Sequence, residues 1–302
     1  MHALLSHYHL TETIAEQVEA TARFNKNKRL PEEVALIGKP GYTAPDEAII
    51  ADAVTALALG KNVLLKGPTG SGKTRLAELL SSLFYQPMQM INCSVDLDAE
   101  ALLGYKTLTY DESGKSHITF VPGPVTTAMQ KGHFLYIDEI NMAKAETLPI
   151  LNGVLDYRRT IHNPFTAERI EAAAGFNVIA AINEGYVGTT PLNEALKNRF
   201  VVIEVPYLQG AALKQLLTEQ TKLTDERLLA QFVSLSRDLI FKVQDGQIAE
   251  EGASIRSLID ACDLSTFLPP MRAVRRAIAD KLEDERERVA VLTIAETYFG
   301  KM

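Results

Sequence analysis

The feature that most narrows what this chain can fold into is the octapeptide Gly67-Pro68-Thr69-Gly70-Ser71-Gly72-Lys73-Thr74, which fits Gly-x-x-x-x-Gly-Lys-Thr without a mismatch. It follows the apolar run Val63-Leu64-Leu65 and opens an amphipathic stretch from Lys73 to Phe84, so it falls at a strand-to-helix turn. Glycines there let the backbone curl until its N–H groups face an anion, and the helix N-terminus adds a favourable dipole. Lys73 is placed to reach the β- and γ-phosphates of a nucleotide, and the Thr74 hydroxyl to bind Mg²⁺. A Gly-rich turn that carries Lys-Thr by chance is the alternative, and the strand-to-helix setting argues against it.

Around this loop the pattern alternates between short apolar runs and helical periods. Strands are expected at 62–66, 88–93, 134–137, 177–182 and 200–205, with helices at 46–59, 73–84, 125–130, 144–155 and 192–197. Strands of that length separated by helices predict a parallel sheet covered on both faces. After Pro206 only helical periods recur, at 212–221, 225–243, 254–264 and 271–298, so a separate helical unit is expected. The predicted organisation is an N-terminal helix and linker over 1–42, an α/β core over 43–206 and a smaller helical lid over 207–302. In the first part, 10–24 reads as a helix and Asn25-Lys26-Asn27-Lys28-Arg29 as a turn-rich stretch.

Three further elements sit where this fold puts ligands. The strand Phe134-Leu135-Tyr136-Ile137 ends in Asp138-Glu139, at the strand end that faces ligands in open α/β sheets. Asp138 is read as part of a Mg²⁺ shell, and Glu139 as the base that orients and deprotonates an attacking water. The run Phe176 to Ile182 ends in Asn183, which either caps a strand before Gly185 or hydrogen-bonds a phosphate or water beside Glu139. Arg199 closes a short helix just before an apolar strand, as a dipole-satisfying cation or as an arginine finger for a neighbouring subunit. Arg158-Arg159 reads as an exposed charge pair, and the run Lys281 to Arg288 as a solvated helix face with i, i+4 pairing. His2, His7 and His9 cluster near the start, with no carboxylate or Cys at matching spacing, and are read as a frayed terminus.

Taken in order, these elements resemble an AAA+ ATPase, and more closely its MoxR branch and the CbbQ/NirQ/NorQ group, with the gas-vesicle protein GvpN as a relative. The resemblance covers roughly residues 42–265. It implies a P-loop NTPase core of three layers with a helical lid. It identifies 67–74 with Walker A and 134–139 with Walker B, Asn183 with sensor 1 and Arg199, in Leu-x-x-Arg-Phe, with the arginine finger. Gly123-Pro124-Val125 also resembles this group, and the turn-rich stretch 94–122 resembles its hairpin insert facing the pore of a ring. Gly252-Ala253-Ser254-Ile255-Arg256 is similar to the Gly-Ala-Ser-Pro-Arg of MoxR proteins, with Ile255 for the proline, which makes Arg256 the favoured sensor 2 and Arg272 the runner-up.

The resemblance implies ATP and Mg²⁺ as ligands, a homo-oligomeric ring, expected as a hexamer, and chaperone work on a metalloenzyme beside a partner with a von Willebrand factor A domain. An MCM-like or restriction-type nucleic-acid motor is the competing class, and a magnesium-chelatase-type subunit a close variant of the first reading. With 31 Lys+Arg against 38 Asp+Glu the net charge is −7, and the insert offers only Lys106 and Lys115 as Lys/Arg cations, which disfavours nucleic acid as partner. No Asn-Lys-x-Asp follows the loop to read a guanine base. Residues 1–10 lack a cationic run leading into an apolar stretch, no apolar run is long enough to span a bilayer, and the two cysteines lack metal or disulfide spacing. A cytoplasmic setting is expected.

Overall fold

Val63, Leu64 and Leu65, and again Val178 to Ala181, are wholly shielded from solvent, which places these strands inside a sheet covered on both faces. The computed structural model describes residues 8–93, 97–111, 114–183 and 192–300. In chain order its strands are β1 (Asn62–Gly67), β2 (Met88–Asn92), β3 (Gly104–Tyr110), β4 (Ser116–Pro122), β5 (Phe134–Asp138), β6 (Thr160–Asn163), β7 (Glu168–Glu171), β8 (Asn177–Asn183) and β9 (Phe200–Glu204). Five of them form one sheet in the order β2-β5-β8-β1-β9, and all its pairings are parallel. The expected parallel sheet is therefore present, with the phosphate loop leaving a strand that has neighbours on both sides.

Alternation along the strands divides the core into two layers. Phe134, Tyr136, Ile179 and Ala181 face the helices Glu47–Ala58 and Lys73–Leu83, together with Ile14 and Val18 of the helix Glu12–Lys28. Leu135, Ile137, Val178 and Ala180 face the opposite layer, built on the helices Pro124–Lys131 and Leu148–Leu155. Past Val205 a third apolar cluster is formed by the helices Gly210–Gln220, Glu226–Gln244, Ile255–Ser265, Pro270–Ala277 and Glu285–Phe299.

The structure departs from the periodicity at several points. The first helix runs on to Lys28 instead of breaking after Phe24, because Asn25 turns inward and donates to Phe84 O and Gln86 Oε1. It stops at Arg29, where Pro31 favours extended backbone at Leu30. The stretch that follows lies against the core: Met88 N donates to Leu36 O, and Gly38 N to Ser81 Oγ at 2.9 Å. The helix expected over 271–298 is broken by a 3₁₀ turn at Ala279–Lys281, after which Leu282 is buried and Asp284 caps a new helix through Arg286 N. The charged run 281–288 is thus a helix junction for its first half. The hairpin β6–β7 was not foreseen; Ile161 and Ile170 anchor it while His162 and Arg169 point outward.

Only half of the Arg158-Arg159 pair is an exposed charge. Arg158 rests on Asp156, while Arg159, at φ 46°, donates to Gly60 O and Asn177 Oδ1 and stacks over Phe176. Antiparallel β3 and β4 form a hairpin within 94–122, preceded there by a short helix, Ala99–Leu103. Cys93 and Cys262 are buried free thiols. His2 and His7, and positions 94–96, 112–113 and 184–191, lie outside the described residues.

Asn25 ties the N-terminal helix to the core through buried acceptors. Asn25→Ala is expected to lower stability by about 1–3 kcal/mol, the cost of leaving such groups unpaired, as read from the urea midpoint at unchanged slope.

Candidate active site

The strand-to-helix turn is built by two glycines that no other residue could replace cheaply. Gly70 has φ 76° and a Cβ there would stand 2.5 Å from Ser254 Oγ; Gly72 has φ 93° and initiates the helix Lys73–Leu83. The loop so formed folds Lys73 back onto itself. Its Nζ donates to Gly67 O at 2.9 Å and Pro68 O at 2.7 Å, and the side chain is almost buried. Burial pushes the ammonium down to about 8, while Asp138, Glu250 and Glu139 pull it back up, so the charge survives at neutral pH.

The two acids arrive at the same end of the sheet. Asp138 is the last residue of β5, and its carboxylate accepts from Glu139 N at 3.1 Å. Glu139 takes a left-handed φ of 52°, a conformation that costs energy for a side-chain residue and turns the chain out of the strand direction. Asn183, at the end of β8, donates from Nδ2 to Glu139 Oε1 at 3.2 Å. Thr74 Oγ1 lies 3.1 Å from the phenol of Tyr136.

A cleft of about 470 Å³ opens over these groups. The phosphate loop with Asp138, Glu139 and Asn183 forms its floor, and the helical unit contributes Leu208, Leu216, Ile255, Arg256 and Ile259. Tyr42 and Thr43 close a third side. The mixture of a polar, cationic floor and an apolar wall suits a phosphorylated ligand carrying a flat apolar group. Arg256 therefore lines the cleft, whereas Arg272 does not. Ile255 occupies the first position of the helix Ile255–Ser265, a position that proline favours, so the helix starts as it would in the motif with proline.

Arg199 is elsewhere. It precedes β9, whose residues 200–204 pair with 62–66 of β1, so the length of that strand, roughly 16 Å, separates it from the phosphate loop. Its guanidinium is held by Ala195 O and, at 4.0 Å, by Asp156 Oδ2. Sequence reasoning missed two groups of the site. Tyr42 sits in a turn-rich stretch with no motif, and Glu250 stands in a 3₁₀ turn of the helical unit yet accepts from the phosphate-loop amide of Thr69 at 2.8 Å.

The residues present fit a magnesium nucleotide. Ser71 Oγ is buried in the loop without a hydrogen-bond partner, the cationic Lys73 is buried beside it, and Thr74 with Asp138 offers the hard oxygen donors that Mg²⁺ takes.

The family model described as AAA domain (dynein-related subfamily) matches residues 62–200, and that described as CbbQ/NirQ/NorQ C-terminal matches 214–297. The chain is 62% identical over 295 residues to the uncharacterized protein YojN of Bacillus subtilis, covering 98% of this chain and 96% of that one. It is 60% identical over 258 residues to an uncharacterized protein of Staphylococcus epidermidis, covering 85% and 98% respectively. Among solved structures, a putative ATPase from Cytophaga hutchinsonii aligns over 95% of this chain and 98% of its own, at 18% identity and a TM-score of 0.46.

Glu250 sets a negative charge against a loop shaped for an anion. Glu250→Gln keeps an acceptor for Thr69 N but removes on the order of 1 kcal/mol of repulsion, so nucleotide affinity is expected to rise several-fold in a fluorescent-nucleotide titration.

Proposed function

The chain belongs to the AAA+ ATPases of the MoxR type that carry the CbbQ/NirQ/NorQ C-terminal region, and on that footing we propose that it couples ATP hydrolysis, in a ring of its own copies, to the remodelling of a partner protein. The observation that carries the choice of a protein as client is the insert hairpin. Its two strands place Leu108 opposite Ile118 on one face, with Tyr110 beyond them, and Tyr105 opposite Val121 on the other, all exposed; Ile118 is 71% and Tyr110 68% accessible. Lys106 and Lys115 are its only Lys/Arg cations. A surface of that kind meets apolar polypeptide more readily than a phosphate backbone.

The chemistry follows from the floor of the cleft. Loop N–H groups and Lys73 hold the β- and γ-phosphates, and Arg256 together with the apolar wall holds the rest of the nucleotide. Thr74 and Asp138 would hold a magnesium ion, which would supply positive charge to offset that of the phosphates. Glu139, kept in place by the Asn183 amide, accepts the proton of the water that attacks the γ-phosphorus. As the new P–O bond forms, the bond to the bridging oxygen breaks and leaves ADP. Arg199 lies beyond the reach of its own cleft, which supports a role at the neighbouring subunit's γ-phosphate and hence a ring, taken as a hexamer.

The likeness to the CbbQ/NirQ/NorQ group supports a metalloenzyme client with a von Willebrand factor A domain protein as companion. Among the described residues no helix is long and apolar enough to cross a membrane. A cytoplasmic setting completes the proposal.

Glu139→Gln is expected to bind ATP as the parent does and to hydrolyse it at least ~100-fold more slowly, in a phosphate-release assay. The same variant, locked on ATP, is the bait for the client: recovery of a von Willebrand-type protein with a metalloenzyme supports the reading, and recovery of nucleic acid instead overturns it. Arg199→Ala is expected to leave nucleotide affinity unchanged while turnover of the assembled ring falls by roughly 10³-fold or more; equal loss of binding and turnover would remove the role across subunits.

A further inference from the structure

The strand that delivers Asp138 carries a residue whose polar group the mechanism above does not use. Period-two alternation puts Tyr136 and Asp138 on the same face of β5, the face packed against the phosphate-loop helix. Tyr136 is fully buried among Leu76, Leu80 and Ile179, where a phenylalanine would serve the packing as well. Its hydroxyl instead lies 3.1 Å from Thr74 Oγ1, a group that lines the cleft, and Asp138, which also lines it, projects from the same face of the strand two residues on. One buried hydroxyl thus meets one of the two side chains assigned to the metal and shares a strand face with the other.

A hydroxyl ligates a metal through an oxygen lone pair, which requires its proton to point away, toward an acceptor. A carboxylate that ligates is in turn oriented by a donor on its other lone pairs. A phenol can do both at once, accepting from one neighbour and donating to the other. We propose that Tyr136 is a positioning residue of the magnesium site: it accepts the Thr74 hydroxyl proton and donates its own to Asp138, so that Thr74 presents a lone pair and Asp138 a fixed oxygen to the ion. The proposal rests on the magnesium-nucleotide reading of the cleft. The rigidity of β5, flanked by β2 and β8, is what makes such an arrangement useful, because the phenol cannot drift from either partner.

The test uses the full chain carrying Glu139→Gln, which holds nucleotide without turnover, with and without Tyr136→Phe. Binding of a fluorescent ATP analogue is titrated in EDTA and then against Mg²⁺. The expected result is equal affinity in EDTA and a three- to tenfold higher Mg²⁺ midpoint in the Tyr136→Phe protein, roughly the worth of one net hydrogen bond. In a Thr74→Val background, which has no hydroxyl to orient, the part of that shift owed to Thr74 is expected to vanish, so the two substitutions combine to less than their sum. Identical Mg²⁺ midpoints, an equal loss of affinity in EDTA and Mg²⁺, or strict additivity would each overturn the inference alone. If the parent protein shows no Mg²⁺ enhancement at all, the magnesium reading of the cleft falls with it.

Discussion

One register governs the active end of this molecule. In neighbouring parallel strands Gly67 pairs with Asn183, and β8 pairs on its other side with β5, so the phosphate loop, the Asn183 amide and the Asp138-Glu139 pair leave the sheet at one edge. A slip of one residue would turn each of those side chains to the other face and bury the wrong partner. What prevents the slip is apolar. Leu64, Leu135 and Val178 face one core layer while Leu65, Tyr136 and Ile179 face the other, and every one is shielded from water. The packing of aliphatic side chains on both sides of a sheet therefore decides where the polar groups of the cleft stand.

The second layer of control is the contact between the helical unit and the loop. Ser254 lies so close to Gly70 that only glycine fits, Glu250 accepts the Thr69 amide, and Arg256 lines the cleft from the same short segment. Residues 250–256 thus bring a carboxylate, a hydroxyl and a cation to the phosphate loop within two turns of chain. Arg199 answers to different geometry: Asp156 and the Ala195 carbonyl hold it at the opposite end of the strands from the cleft.

Burying polar groups is costly, and the chain does so where the burial has a structural reason. His133 is fully enclosed with Glu33 Oε1 at 3.0 Å, and Arg29 and Gln86 reach the carbonyls of the same region. That network fastens the N-terminal segment to the core and so brings Tyr42 to the cleft.

Much of the core was legible in sequence for physical reasons that are local. A Gly-Lys-Thr loop needs a strand before it and a helix after it, a strand buried on both faces needs an unbroken apolar run, and Asp138, Glu139 and Asn183 each sit directly after such a run. Short-range steric and solvation rules were enough to name them. The features that escaped depend on partners far along the chain. Asn25 looks like a turn former until Gln86 is beside it, Arg159 looks like a surface cation until Phe176 and Asn177 enclose it, and Glu250 has no meaning until the helical unit meets Thr69. The one-dimensional pattern by itself determined the parallel α/β core and the order of the groups that line its cleft, because those are set by neighbours in sequence. Only the tertiary structure decided which cations face the cleft, which stand outside it, and which buried hydroxyl meets Thr74, because those contacts exist only once distant strands share a register.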